Sequence, residues 1–180
     1  MSIKDKKVVK QGKVWSYDMM GGKPYETQKI KSTASTLSAY PVQQQARALC
    51  YSSKHKHVAV SNNYGDVHIL DYNDLSKRIT TLYKPREWCE VMAYSPNHEF
   101  LAIGSHDDSI YIYKISEAGE YTLHYSITFV HSSAITAMDW SRDSRYLRAI
   151  DQAYAKLFYD VETCQTVGDG ATSLVDVAMW

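Results

Sequence analysis

Apolar residues in this chain recur at alternate positions in short runs, the period of a half-buried β-strand rather than that of a helix. Three stretches align: ARALCYSSKHKHVAV at 46–60, CEVMAYSPNHEFLAI at 89–103 and ITAMDWSRDSRYLRA at 135–149. Each opens with an alternating strand that ends in an aromatic residue followed by serine: Tyr51-Ser52, Tyr94-Ser95 and Trp140-Ser141. The aromatic residues lie 43 and 46 residues apart. A polar turn follows in each unit, then a second apolar strand at 58–60, 100–103 or 146–150. Third strands are expected at 66–71, 109–114 and 155–160, and more polar fourth strands near 78–82, 122–129 and 165–167.

Four short strands repeated every ~40–45 residues is the pattern of WD-repeat β-propeller blades. The expected fold is therefore all-β, with three complete four-stranded blades at 46–88, 89–134 and 135–170. Partial blades flank them. Val14–Asp18 and Tyr25–Ile30 read as the last strands of a preceding blade within 1–30, and 171–180 reads as the first strand of a following one. Residues 31–45, rich in Ser, Thr and Gln, read as an inter-blade loop. A blade cannot cover both of its faces alone, and closed propellers have about 4–8 blades. The chain is thus expected to be completed by further blades of the same or another chain.

Composition agrees with β structure and narrows the partners. Tyr outnumbers Phe by 15 to 3, and tyrosine packs well on a pleated sheet. Lys plus Arg and Asp plus Glu are 20 each, so no positive surplus exists to neutralise phosphates, and nucleic acid is not expected as a partner. The basic run Lys54-His55-Lys56-His57 is too short to change that. No stretch approaches the ~18 consecutive apolar residues of a membrane span, and no membrane partner is expected. Cys50, Cys89 and Cys164 lack metal or disulfide spacing, which suggests reduced thiols in a cytoplasmic protein.

Candidate chemistry is sparse. Ser105-His106-Asp107 has the residue types of a hydrolase triad, but three consecutive residues cannot place their side chains in one hydrogen-bonded series. His55 and His57 alternate at the entry to a strand, yet no further ligand is near in sequence, so an exposed turn is expected. No catalytic, metal or cofactor residues are assigned. Ile110 and Ile112 should face one neighbouring blade, and Tyr111 and Tyr113 the other. Asp107, Asp139, Trp140, Tyr113 and Tyr159 are expected to form the structural motif of the blades. The WD signature is degraded, with Leu70-Asp71, Tyr113-Lys114 and Tyr159-Asp160 in place of Trp-Asp. Its turn aspartate survives as Asp107, while Tyr64 and Ala153 stand at the matching positions. Trp88, His106, Asp108 and His131 are the candidates for contacting a protein partner, being placed in connections and turns.

Two longer strings are more specific. Leu101-Ala-Ile-Gly-Ser-His-Asp-Asp-Ser-Ile-Tyr-Ile-Tyr113 and His131-Ser-Ser-Ala-Ile-Thr-Ala-Met-Asp-Trp140 resemble adjacent blades in the C-terminal propeller of the echinoderm microtubule-associated protein-like family. The resemblance is good across 87–180 and rests on blade architecture alone across 13–83. It implies a non-catalytic, protein-binding scaffold of the cytoskeleton, with tubulin or microtubule-associated proteins as partners and an axonemal placement as a variant. The alternative is a general WD-repeat adaptor in another complex, such as one for ubiquitin ligation or transport.

Overall fold

The computed structural model describes residues 13–17, 24–29 and 45–168. The expected loop at 31–44 and the expected strand in 171–180 lie outside the described residues. A two-stranded antiparallel sheet pairs β1 (Lys13–Tyr17) with β2 (Pro24–Lys29), where the last strands of a preceding blade are expected.

Three four-stranded antiparallel meanders follow. The first contains β3 (Ala46–Ser52), β4 (His57–Asn62), β5 (Val67–Asp71) and β6 (Arg78–Leu82). The second contains β7 (Cys89–Tyr94), β8 (Phe100–Ser105), β9 (Ile110–Ile115) and β10 (Tyr121–Ile127). The third contains β11 (Ile135–Trp140), β12 (Tyr146–Asp151), β13 (Lys156–Asp160) and β14 (Gln165–Thr166). The first strands β3, β7 and β11 adjoin one another, so the sheets radiate from that side. The register between first and second strand shifts at the same place in each sheet, at Ala46/Leu49, Cys89/Val91 and Ile135/Ala137. A repeated bulge adds the same local twist to each innermost strand.

The aromatic-serine pairs have a common physical cause. Ser52, Ser95 and Ser141 are all buried at the hairpin between first and second strands. Ser95 Oγ accepts from the Phe100 amide at 3.0 Å and donates to Asn97 Oδ1 at 2.7 Å, while Ser141 Oγ accepts from the Tyr146 amide at 2.8 Å and donates to Asp143 Oδ1 at 2.6 Å. A small hydroxyl thus satisfies backbone groups that a larger side chain would displace. In the second and third sheets the preceding aromatic, Tyr94 or Trp140, packs at the seam with the previous sheet. Trp140 donates from Nε1 to the Ala93 carbonyl of β7 at 3.0 Å, and its ring stacks near Phe100.

Both faces of the middle sheet are covered. Leu101, Ile103, Tyr111, Tyr113 and Ile115 pack against Ala59, Val67, Ile69 and Leu82 of the first sheet. Ala102, Ile110, Ile112 and Ile127 pack against Ile135, Leu147, Ala149, Tyr159 and Val161 of the third. The alternation of tyrosines and isoleucines along β9 therefore divides them between two neighbours, as the strand period requires. Gly104 marks a close approach between the second and third sheets. A Cβ there would lie 2.7 Å from Ile135 Cγ2 and 2.7 Å from Val91 Cγ1.

The seam between the first and second sheets carries a polar layer as well. His98 sits between two hydroxyls, with Nδ1 3.2 Å from Ser52 Oγ and Nε2 3.0 Å from Ser53 Oγ. His55 Nε2 donates to the His98 carbonyl at 3.2 Å. His57 Nδ1 lies 3.0 Å from the Tyr121 hydroxyl, itself 2.7 Å from that of Tyr94. The exposed turn expected for these two histidines is corrected for His57, which is buried at the seam because β4 begins at that residue. Burial depresses the basicity of both His57 and His98, and the neighbouring His55 lowers it further.

Two outcomes are expected. Gly104→Ala should destabilise the protein by about 1–3 kcal/mol in urea unfolding, through overpacking between sheets. His57 and His98 have depressed folded-state values, so the unfolded chain binds more protons as pH falls. Their stabilising contribution is complete above the unfolded value of 6.5 and is lost as pH falls through it towards the folded values. The urea midpoint should therefore fall between pH 7.5 and 5.5, roughly the window in which histidine charges, and fall less in a His57→Asn/His98→Asn variant.

Candidate functional site

The sequence candidates gather at the rim of the second sheet, where the β8–β9 turn meets the connections leading into β7 and β11. The turn is closed by the Ser105 amide donating to the Ser109 carbonyl at 3.0 Å. Asp108 takes a left-handed conformation there, with φ 62°. The matching turns place Gly65 at φ 87° and Tyr154 at φ 65° in the same position. Asp tolerates this region better than most residues and Gly best, whereas for Tyr it is strained.

Trp88 and His106 stack with their ring centroids 3.8 Å apart, and the Arg47 guanidinium lies 3.9 Å from the Trp88 ring. His106 Nε2 lies 2.8 Å from Glu90 Oε2, and the His106 amide donates to the Trp88 carbonyl at 3.0 Å. Arg47 comes from β3 and Glu90 from β7, so this ladder ties two sheets together. Trp88 is half-buried, and its ring is already engaged by groups of its own chain. A partner stacking on the indole would have to displace one of them.

The three consecutive residues Ser105-His106-Asp107 send their side chains to three separate places. Ser105 Oγ donates to the Glu87 carbonyl at 3.2 Å, His106 pairs with Glu90, and Asp107 Oδ2 accepts from the Tyr111 hydroxyl at 2.6 Å and the Arg86 amide at 2.9 Å. Asp107 Oδ1 is buried without a hydrogen-bond partner. Tyr113, on the same strand as Tyr111, is buried between the sheets.

His131 departs from its expected place at a partner surface. Its side chain and that of Asp151 are both fully buried, and Nδ1 donates to Asp151 Oδ2 at 3.0 Å. The carboxylate fixes the ring proton on Nδ1, so Nε2 accepts from the Tyr159 hydroxyl at 2.8 Å. The Ala155 amide completes the set on Asp151 Oδ1 at 2.9 Å. Burial alone would push the Asp151 carboxyl up, but the hydrogen bonds from His131 and from the Ala155 and Ala153 amides outweigh it and hold the group below the usual carboxylate range. With both nitrogens used inside, His131 joins the entry to β11 to strands β12 and β13 instead of presenting itself to a partner.

Asp151 was not among the sequence candidates. Alignment on Asp107 points to Ala153, two residues later, and so misses the carboxylate of the third sheet. A signal was present: a lone Asp closing the strand Leu147-Arg148-Ala149-Ile150, with His131 shortly before the first strand. Asp139 sits elsewhere, on β11, where it accepts from both Arg148 Nε, at 2.8 Å, and Arg148 Nη2 across the β11–β12 pair. Among the described residues no group of three or more His, Cys, Asp or Glu is arranged to hold a metal ion.

A cavity of about 410 Å³ opens beside Asp107 and Asp108, between the connections at 84–86 and 128–131. Phe129 at its edge is fully exposed, with φ 63°. The fourth strand, expected to run through Phe129, stops at Ile127, and the left-handed residue turns the chain towards the third sheet.

Three successive four-stranded meanders with adjoining first strands, each face of the middle one covered by a neighbour, define a β-propeller of the WD-repeat class. Solved structures share this architecture. A chain of the mitotic checkpoint complex matches with a TM-score of 0.68 at 14% identity, covering 87% of this chain and 44% of that one. The Cps50 (Swd1) β-propeller domain of Myceliophteria thermophila matches with a TM-score of 0.61 at 12% identity, covering 69% of this chain and 43% of that one.

The chain belongs to the echinoderm microtubule-associated protein family, whose second β-propeller model matches residues 27–180. Similar proteins include the ciliary WD repeat-containing protein ctxp80 of Euplotoides octocarinatus, 36% identical over 145 residues that make up 79% of this chain and 20% of that protein. The 77 kDa echinoderm microtubule-associated protein of Lytechinus variegatus is 42% identical over 52% of this chain and 14% of its own length. The human echinoderm microtubule-associated protein-like 3 is 36% identical over 58% of this chain and 12% of its own. The chain spans about a fifth or less of the length of these relatives.

The buried network gives a graded expectation. His131→Ala leaves Asp151 Oδ2 buried without its side-chain partner, while Oδ1 keeps the Ala155 amide, and should cost about 1.5–3 kcal/mol. Tyr159→Phe removes the one hydrogen bond between the hydroxyl and His131 Nε2 and should cost about 0.5–1.5 kcal/mol. Urea unfolding of the two variants checks the order.

Proposed function

We propose that this chain is part of a non-catalytic scaffold that holds protein partners on the rim of a propeller and associates with microtubules. The observation that carries the reading is the match to the second propeller of the echinoderm microtubule-associated proteins over residues 27–180. The names of relatives add support, several being microtubule-associated proteins and one a ciliary protein. A rigid stack of sheets with turns and connections at its rim suits such a role, since loops positioned by a fixed scaffold are the usual seats of binding. Within this reading Trp88, His106 and Asp108 are the residues nearest a partner. His106 and Trp88 would contribute the edges left free by their own stack, and Asp108 its carboxylate. Tubulin or a tubulin-bound protein is the proposed partner, in the cytoplasm or the axoneme.

Co-sedimentation of the full protein with taxol-stabilised microtubules tests the proposal. The protein is expected in the pellet at low salt and depleted from it as salt rises. Recovery in the supernatant at every salt concentration overturns it.

A further inference from the structure

At the seam between the first and second sheets, His55 and His57 stand two residues apart where the chain enters β4. Their ring centroids are 5.7 Å apart and the planes are inclined by 32°. Gly119, in the turn between β9 and β10, holds φ 81° and keeps side-chain atoms out of the space beside the two rings. A Cβ there would lie 2.9 Å from His57 Cε1, 3.5 Å from His57 Nε2 and 3.8 Å from His55 Nδ1. One nitrogen of each ring is therefore turned towards the same space.

The other nitrogen of each ring is anchored in the second sheet. His55 Nε2 donates to the His98 carbonyl at 3.2 Å, and His57 Nδ1 lies 3.0 Å from the Tyr121 hydroxyl. His55 Nδ1 and His57 Nε2 have no hydrogen-bond partner among the described residues, and both keep contact with solvent. From this arrangement we propose that these two nitrogens bind a divalent transition-metal ion of the zinc type, with water in its remaining positions.

Imidazole nitrogen is a usual ligand of zinc, copper and nickel. Two imidazoles sharing one ion at ~2.1 Å place their centroids about 5–6.5 Å apart, a range that includes the observed separation. A ligating histidine normally gives its other N–H to a fixed acceptor, which sets its tautomer and orientation. The His98 carbonyl does this for His55, and the Tyr121 hydroxyl is placed to accept from His57 once the ion fixes its proton on Nδ1. Burial lowers the basicity of His57, so its lone pair is available at neutral pH. His98 takes no part, because both its ring nitrogens face serine hydroxyls. The charges nearby largely offset one another: Lys54 pairs with Glu117 at 3.0 Å and Lys77 with Asp71 at 3.5 Å, while Lys56 reaches the Tyr51 hydroxyl.

No third His, Cys, Asp or Glu ligand joins the pair among the described residues. The site is thus open and exchangeable, unlike the closed four-ligand site of a structural zinc ion. Since both rings lean on the second sheet, an ion bound here would clamp the first seam.

The test titrates the full protein with zinc chloride at neutral pH and follows the histidine ring signals by NMR. The signals of His55 and His57 should shift together and saturate at one ion per chain, while those of His68, His124 and His131 stay in place. His55→Gln and His57→Gln should each weaken binding by about tenfold or more. His55 is only half-buried, so its variant decides the outcome should His57→Gln not fold. Affinity should fall as the pH drops through roughly 6.5, where protons compete for the same nitrogens. Magnesium, which prefers oxygen ligands, should leave the signals unmoved. Saturating zinc should also raise the urea midpoint, and His55→Gln should abolish that rise. Shifts spread evenly over all the histidines, absence of saturation, or affinity unchanged in the variants would overturn the proposal and mark the zinc as adventitious. These readouts involve no microtubules, so they stand or fall apart from the cytoskeletal role.

Discussion

The middle four-stranded sheet is apolar on both faces and is covered by a neighbouring sheet on each. That constraint explains most of the sequence. It requires β9 to alternate Ile110 and Ile112 with Tyr111 and Tyr113, because each set serves a different neighbour. It makes Gly104 small, since Val91 of the adjacent strand β7 and Ile135 of β11 in the next sheet both fill the space its side chain would take. Most polar groups in the seams are paired, as Ser61 Oγ is with the Cys89 carbonyl at 2.9 Å and Trp140 Nε1 with that of Ala93. An unpaired group there would lose its water without compensation.

The degraded WD signature shows how the same task can be done by different residues. In the third sheet a histidine, an aspartate and a tyrosine form a complete buried relay, with the carboxylate at the end of β12 rather than in the turn. In the second sheet Asp107 occupies the turn and takes a tyrosine from its own strand and a backbone amide from the preceding connection. In the first sheet Asn62 closes the turn through its side-chain oxygen, accepting from the amides of Tyr64 and Asp66. Asn62 and Asp151 satisfy the corresponding turn amide, four residues on, with different side chains, whereas Asp107 takes an amide from outside its own turn.

This variation marks where sequence reading succeeds and where it stops. The strands were legible because their period of two and their recurring aromatic-serine ends are set by local geometry, and the observed bounds lie within a few residues of those expected. The division of β9 was legible for the same reason. The burial of His131 and the role of Asp151 were not, because they depend on which residues of separate strands meet at one depth, and alignment on Asp107 displaces the carboxylate by two positions. Trp88 looked like a free aromatic anchor because Arg47, which covers it, is 41 residues away and belongs to another sheet. The left-handed residues were equally hidden: Gly65 announces such a turn, whereas Asp108 and Tyr154 do not.

The strand order carries a consequence for how the molecule assembles. Every strand of a sheet hydrogen-bonds to the strand before or after it in the chain, so each sheet can form from contacts close in sequence. Loop closure within a sheet is therefore short, which favours fast formation. The isolated product, however, exposes two apolar faces and gains little until a neighbour docks. Folding cooperativity thus resides in the docking between successive sheets, as in a one-dimensional chain of coupled units. A defect at one seam, such as at Gly104 or Trp140, should slow or uncouple the joining of two sheets while leaving the hairpins on either side able to form.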